Sequence, residues 1–159
     1  MTRLRTDGKQ FKINVQILLF FAYKREKPMK HKIRISLLIL DCFLALTALS
    51  GGIGLIFGSN APPIYFLKNS LFNSYLIPGL ALFVLVGGFS AYAFFTLKHR
   101  NSHAVFINFC AAASIIIFET VEVSSIGSPA AIARTLQIFY FAIGAAIGLL
   151  TFFYKKHND

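Results

Sequence analysis

The chain has 159 residues, of which 56% are hydrophobic and only 14% are charged, and its formal net charge is +10. A soluble domain contains about 25% charged residues. This composition therefore excludes a soluble globular domain and a disordered chain, and it indicates an integral membrane protein of one domain. Ten of the 16 Lys and Arg residues lie within the first 34 positions. Such clustering is typical of the flank of a first membrane span rather than of a surface that binds nucleic acid.

The first 28 residues form a basic N-terminal segment that allows two interpretations. Residues 11–23 are partly apolar but too short to cross a bilayer, so this stretch is predicted to form an interfacial helix. Alternatively, Met29 and Lys30 begin a charged lead into the first span, and translation starts at Met29. Under the second interpretation, residues 1–28 are not part of the native protein.

Four apolar stretches are long enough to cross about 30 Å of hydrocarbon as helices. Backbone polar groups inside a bilayer must be paired within the chain. We therefore predict an all-α fold, an integral membrane four-helix bundle formed by residues 29–159. The predicted spans are 35–57, 77–97, 104–123 and 135–154.

Positive charges are divided unequally between the two ends of these spans. Fourteen Lys and Arg residues flank one side, whereas Lys68 and Arg134 are the two on the other side. Positive flanks remain cytoplasmic. We therefore expect both termini to lie in the cytoplasm and the protein to reside in the cell's inner or plasma membrane.

Residues 58–76, between the first two spans, show the pattern of a short amphipathic helix. Such a helix would lie on the outer membrane surface and cap the bundle. A lid over a ligand is the alternative interpretation. The apolar positions at helical spacing are Ile64, Leu67, Leu71 and Tyr75.

Small residues at four-residue spacing occur on three of the predicted spans. In lipid, such residues allow two helices to approach closely. We expect helix contacts at these positions, either within one chain or between copies. They are Ser50, Gly54 and Gly58 on the first span, Gly87 and Ala91 on the second, and Gly144 and Gly148 on the fourth.

Polar residues share a face with small or apolar residues on three spans. Because polar groups in a span face the bundle interior, we predict a partly polar seam between the helices. Its members are Asp41, Ala45, Ala48 and Gly52; Asn108, Ala112, Ile115, Glu119 and Glu122; and Gln137, Phe141, Gly144, Gly148 and Thr151.

Glu119 and Glu122 are the strongest candidate site, one helical turn apart near the outer end of the third span. Two carboxylates this close in a low dielectric cannot both be ionised without a large cost. One interpretation is a proton or cation site at the outer mouth of the bundle. The other is a structural ion pair with Arg134. Asp41 lies near the opposite end of the bundle. It is a further candidate for the proton or cation site, through a water-filled path to Glu119, but we expect it to form a hydrogen bond between helices.

Known catalytic signatures are missing from the sequence. It contains no nucleophile elbow, phosphate-binding loop or zinc-protease motif, and Cys42 and Cys110 do not form a C-x-x-C pair. We therefore expect no catalytic residues, no cofactor and no metal. The expected partners are the lipid bilayer and, in addition, a second copy or another membrane protein, but not nucleic acid.

Three stretches of the sequence resemble a group of small prokaryotic membrane proteins with four predicted transmembrane helices. They are residues 67–80 (LKNSLFNSYLIPGL), 48–54 (ALSGGIG) and 136–140 (LQIFY). The resemblance extends over about residues 33–154. It implies a four-helix membrane fold, brings no established activity or site residues, and favours a start at Met29.

The sequence therefore predicts a small multi-pass membrane protein that acts without catalysis, as an accessory or interaction protein. The alternative is a transporter that couples small-molecule movement to protons or cations through Glu119 and Glu122.

Overall fold

The computed structural model describes the backbone of residues 4–58, 63–64, 72–126 and 131–156. Side chains are described for residues 29–58, 63–64, 72–125 and 133–156. All statements about the structure below concern these residues.

Every regular element within these residues is helical. Each of the four helices contains a segment long enough to cross a membrane, with a mean hydropathy of 2.0. This confirms the all-α class and the four membrane-spanning helices, and each predicted span lies within one of them. The helices are α1 (Leu4–Phe57), α2 (Leu76–Lys98), α3 (Ala104–Ile126) and α4 (Ala131–Lys156).

The four helices form a ring around one core. Helices α1 and α3 each pack against both α2 and α4. Large apolar side chains such as Ile39, Leu46 and Phe106 are 63–67% exposed, whereas Asp41 and Asn108 are buried. A soluble protein shows the opposite distribution, so the outer face of this bundle is suited to lipid.

Helix α1 continues without a break through Pro28 and begins at Leu4. The apolar membrane-spanning part of α1 begins at Met29. The preceding 25 helical residues extend the helix by about 38 Å. Residues 11–23 are therefore part of α1 rather than a separate element, and their side chains lie outside the described residues.

A π-helical segment, Ala81–Gly87, interrupts the α-helical hydrogen bonding of α2. It follows Pro78, which has no backbone N–H to donate. Short π-helical segments are rare and often lie at functional sites. Here the segment and the turn after it bring Val86 and Ser90, both 0% exposed, to the core.

Glycines bring neighbouring helices into close contact. A Cβ atom on Gly52 would lie 2.7 Å from the Cβ of Phe83 and 2.9 Å from the carbonyl oxygen of Gly79. On α3 and α4, a Cβ on Gly144 would lie 2.7 Å from Ile115 Cγ2. The backbones therefore approach as closely as small residues permit.

The predicted packing positions differ in their surroundings. Gly87 contacts Leu49, whereas a Cβ on Gly148 would meet Ala112 only at an ordinary 3.7 Å. Gly58 has a φ of +73°, and no atom of the described residues beyond its chain neighbours lies within 4 Å of a Cβ placed there. The remaining positions are Gly54, which is buried, Ala91, which is half-buried, and Ser50, which is exposed.

The predicted amphipathic helix over residues 58–76 depends mainly on residues 59–62 and 65–71, which lie outside the described residues. Ile64 is 71% exposed and Tyr75 is 6% exposed. Residues 73–75 form a bend, and regular helix begins at Leu76.

Candidate functional site

A cavity of about 210 Å³ lies between the four helices. Most of its wall is apolar, and its polar side chains come from α1, α3 and α4. The lining residues are Leu44, Thr47, Ala48, Gly51, Leu82, Ile115, Phe118, Glu119, Glu122, Leu136, Gln137 and Tyr140.

Glu119 is the most enclosed acid of this cavity, with 5% of its surface exposed. It follows Ala112 and Ile115 on the buried face of α3. Its Oε2 atom accepts no hydrogen bond from the described residues. An ionised carboxylate in such a place is unstable unless a proton or a cation neutralises it.

Glu122 lies one turn beyond Glu119 and is half-buried. Gln137 Nε2 on α4 donates a hydrogen bond to Glu122 Oε1 across 3.2 Å. The amide of Gln137, only 6% exposed, therefore holds Glu122 at the cavity wall. The structure brings both predicted carboxylates to one cavity, as their spacing suggested.

Arg134 lies elsewhere. Its side chain is exposed. Within the part of the chain that the structure describes, Glu122 meets the amide of Gln137, and no ion pair joins Arg134 to Glu119 or Glu122. Gln137 lies on the buried face of α4, whereas Arg134, one turn nearer the helix start, does not.

Tyr75 is a polar neighbour of this site that sequence reasoning did not assign to it. It is 6% exposed and precedes α2. Its hydroxyl donates a weak hydrogen bond to the carbonyl oxygen of Pro63 across 3.4 Å. Burial, and secondarily the negative charge of Glu122, raise the pKa of Tyr75 above its ordinary value. The sequence placed Tyr75 only on a surface helix, because helical spacing gives no information about contacts with α3.

The buried face of α4 differs from the predicted one at one position. Phe141 was expected to face the interior but is 47% exposed. The neighbouring Tyr140 lines the cavity instead. The large ring of Phe141 is apolar, so its contact with lipid carries no desolvation cost.

Asp41 does not line the cavity, although Leu44 and Ala48 on the same face of α1 do. It is 0% exposed. Neither of its carboxylate oxygens accepts a hydrogen bond from the described residues. The hydrogen bond between helices expected for Asp41 is therefore not found among them.

Among the described residues, no group of three or more His, Cys, Asp or Glu side chains could hold a metal ion. The polar groups of the cavity are the carboxyl groups of Glu119 and Glu122, the amide of Gln137 and the hydroxyls of Thr47 and Tyr140.

Four apolar helices around a buried acidic cavity define a small multi-pass helical membrane protein. No protein-family model matches the chain, and comparison with curated proteins and with solved structures gave no match. The resemblance to small prokaryotic four-helix membrane proteins thus stays a prediction, and function has to be argued from the cavity itself.

Proposed function

We propose that this protein binds a small organic cation in the acidic cavity and carries it across the membrane in exchange for a proton on Glu119. One observation supports the proposal above all others. Glu119 is 5% exposed, lines a cavity of about 210 Å³, and its Oε2 has no hydrogen-bond partner among the described residues.

The exchange follows from the charge of a single buried carboxylate. The cavity wall is mainly apolar, so an uncompensated negative charge there is costly. Either a proton on Glu119 or a cation beside it removes that cost. Because one carboxylate is neutralised by one or the other, binding of the cation releases the proton.

The size and lining of the cavity define the class of ligand. An apolar cavity of about 150 Å³ holds benzene, so the present cavity of about 210 Å³ has room for a somewhat larger molecule. Phe118 and Tyr140 contribute aromatic rings to its wall. Aromatic rings attract cations, especially where water is excluded. The ligand is therefore a compact amine or quaternary ammonium ion with hydrocarbon groups.

Glu122 has a different role from Glu119 in this proposal. It is half-buried and already accepts a hydrogen bond from Gln137. Its charge is therefore partly compensated before a ligand arrives. We assign it to attracting the cation and Glu119 to binding it.

The charges at the helix ends indicate which side of the membrane the cavity faces. Lys155 and Lys156 end α4, and Lys98 ends α2 at the same end of the bundle. Positive residues flank the cytoplasmic side. In the proposed orientation both termini are cytoplasmic, the membrane is the cell's inner or plasma membrane, and the Glu119 end faces outward.

Calorimetry on the purified full chain tests the binding step. Tetramethylammonium, tetraethylammonium and benzyltrimethylammonium serve as probes, because none of them has a proton of its own to lose. We expect one of them to bind the wild type and release protons into a weakly buffered solution. Glu119→Gln should bind that probe about 100-fold more weakly than the wild type.

A matched control is Ser124→Ala, since the exposed hydroxyl of Ser124 bonds only to the Thr120 carbonyl of its own helix. Ser124→Ala should bind the probe as the wild type does. Equal affinity of wild type and Glu119→Gln for the same probe would contradict the proposal.

The second candidate function is that of a non-catalytic accessory protein. The observation in its favour is the N-terminal part of α1, which extends 25 residues beyond the membrane-spanning segment. The sequence of this part contains six Lys and Arg residues, a composition that suits binding to an acidic partner or to anionic lipid. Native mass spectrometry of the full chain in mild detergent tests this candidate. A monomer with no stable partner counts against it.

A further inference from the structure

A second group of buried polar side chains lies in the core, beyond the residues that line the cavity. Asp41 and Ser90 are 0% exposed, and Asn108 is 1% exposed. Both carboxylate oxygens of Asp41, Oγ of Ser90 and Oδ1 of Asn108 have no hydrogen-bond partner among the described residues. Four buried oxygen atoms on three helices therefore lack the partners that buried polar groups almost always have.

Contacts between α1 and α2 place Asp41 and Ser90 at similar depth. Arg34 Nε donates to the Leu97 carbonyl across 3.1 Å. A Cβ on Gly87 would lie 2.9 Å from Leu49 Cγ. Asp41 lies about midway between these two contacts on α1, and Ser90 lies between them on α2. Both residues are seven positions from the first contact, whereas they are eight and three positions from the second, so at 1.5 Å per residue their depths differ by about 8 Å at most.

Asn108 approaches from the other side of the ring, and by residue count its depth differs from that of Ser90 by about 6 Å. It is four residues from Ala104, where α3 begins after the short turn that follows α2. The contact of Gly148 with Ala112 places Thr151 opposite Asn108 on α4. Thr151 is 0% exposed, so all four helices present a buried oxygen-bearing side chain here.

Asp41 and Asn108 lie on the helix faces that line the cavity. Asp41 shares a helix face with Leu44 and Ala48, and Asn108 shares one with Ile115, all of which line the same cavity. Residues that line one cavity face each other across it. Asp41 and Asn108 lie one or two turns from these lining residues on the same helix faces. They are therefore expected to face the same interior.

The hydrogen bonds around this group leave its oxygen atoms available. Asn108 Nδ2 donates to the Ala104 carbonyl across 2.8 Å, which fixes the amide and identifies its other atom as Oδ1. Thr151 Oγ1 donates to the Ile147 carbonyl across 2.7 Å and keeps its lone pairs. Arg34 Nη2 donates to the Lys98 carbonyl rather than to Asp41.

We infer that Asp41, Ser90 and Asn108 form a sodium-binding site in the core, with Thr151 as a further oxygen donor. A set of carboxylate, hydroxyl and amide oxygens without nitrogen or sulfur suits a hard cation. A single carboxylate carries one negative charge, which a monovalent ion balances and a divalent ion would over-compensate in an apolar core. This site does not depend on the proposed function of the outer cavity.

Equilibrium binding of radiolabelled Na⁺ to the purified full chain tests the site, with the ionic strength held constant by choline chloride. We expect saturable binding of one ion per chain. The thermal unfolding midpoint, followed by circular dichroism, should rise when Na⁺ replaces choline, because the ion binds only the folded state.

Two substitutions locate the ion, and two further variants serve as controls. Asp41→Asn should abolish Na⁺ binding, and Ser90→Ala should weaken it about tenfold, as the loss of one oxygen donor to a charge predicts. Ser90→Ala keeps the test valid if Asp41→Asn fails to fold. Glu119→Gln and Ser114→Ala, whose hydroxyl bonds only to the Ala111 carbonyl of its own helix, should bind Na⁺ as the wild type does.

Three results would overturn the inference. The first is a wild type that binds no Na⁺, which leaves a proton as the partner of Asp41. The second is Na⁺ binding that survives Asp41→Asn and Ser90→Ala. The third is binding lost in Glu119→Gln alone, which would move the ion to the outer cavity. If the wild type binds Na⁺ but none of the organic cations, the result refutes only the proposed function.

Discussion

Two polar regions lie along the axis of this bundle, and both contain a carboxylate that lacks hydrogen-bond partners among the described residues. Glu119 faces a cavity of about 210 Å³, whereas Asp41, on the core face of α1, is not one of its lining residues. The cavity has room for an organic molecule, while the side chains around Asp41 offer separate oxygen atoms from several helices. Two buried acids therefore suit different ligands. Glu119 lies beside open space, whereas Asp41 belongs to the proposed site of oxygen-bearing side chains.

The largest effect is expected from a change that breaks the packing on which both regions depend. Gly52→Leu places a side chain where Phe83 Cβ and the Gly79 carbonyl oxygen already lie within 3 Å of the added Cβ. We expect a loss of stability of about 3 kcal/mol or more, at the upper end for overpacking. The thermal unfolding midpoint of Gly52→Leu relative to the wild type, measured by circular dichroism, tests this loss of stability.

Gly88→Leu is the matched control, because among the described residues no atom outside its own stretch of helix lies within 4 Å of a Cβ at Gly88. Its unfolding midpoint should stay at or slightly above that of the wild type, since glycine is unfavourable within a helix. Equal destabilisation by the two substitutions would show that the close approach of α1 and α2 at Gly52 is not required.

The next prediction distinguishes the role of the Glu119 carboxylate from that of the Asp41 carboxylate. Glu119→Gln should lower the affinity for a bound quaternary ammonium probe about 100-fold, as loss of a buried charge partner predicts. Asp41→Asn should change that affinity less than about threefold, because Asp41 does not line the cavity. Calorimetric titration of both variants measures the difference. Similar losses in both would mean that the two regions act as one site.

A smaller effect distinguishes open space from close packing. Ala112→Leu should cost about 1–3 kcal/mol, because Ala112 is 4% exposed and packed against Gly148. Ala48→Leu should cost less than about 1 kcal/mol, because its side chain can extend into the cavity. Denaturation of the two variants gives both values, and Ala48→Leu should also weaken probe binding. A reversed order of stability would contradict the position of the cavity.

The smallest effect concerns the outer end of the cavity. Burial and the charge of Glu122 raise the pKa of Tyr75. Tyrosine in the unfolded chain ionises near pH 10, so Tyr75 should make the folded state less stable as the pH rises above about 10. Glu122→Gln should lower the Tyr75 pKa towards its ordinary value. Ultraviolet titration, with Tyr75→Phe as the blank, measures this, and an unchanged titration would place Glu122 away from Tyr75.

Much of the bundle could be predicted from sequence because lipid imposes simple rules. Apolar length determined the four spans, and three- and four-residue spacing placed Asp41, Asn108 and Glu119 on buried faces. The same spacing brought Glu119 and Glu122 to one cavity. These features depend only on residues within one helix.

Features that depend on contacts between helices could not be predicted. The π-helical segment of α2 changes the register of the helix, and no helical periodicity indicates it. Arg134 was the expected partner of the acids because charge is visible in sequence, whereas Gln137 became the partner because of its position on α4. The cavity itself is the volume that side chains on four helices leave unfilled.

The most direct test of the central claim is proton movement in proteoliposomes under an imposed pH gradient, with the quaternary ammonium probe that binds the wild type. We expect the wild type to dissipate the gradient only when the probe is present. The Glu119→Gln/Glu122→Gln variant should leave the gradient intact. A wild type that binds the probe but moves no protons, or a double variant that moves them equally well, would contradict an exchange of cation for proton at Glu119.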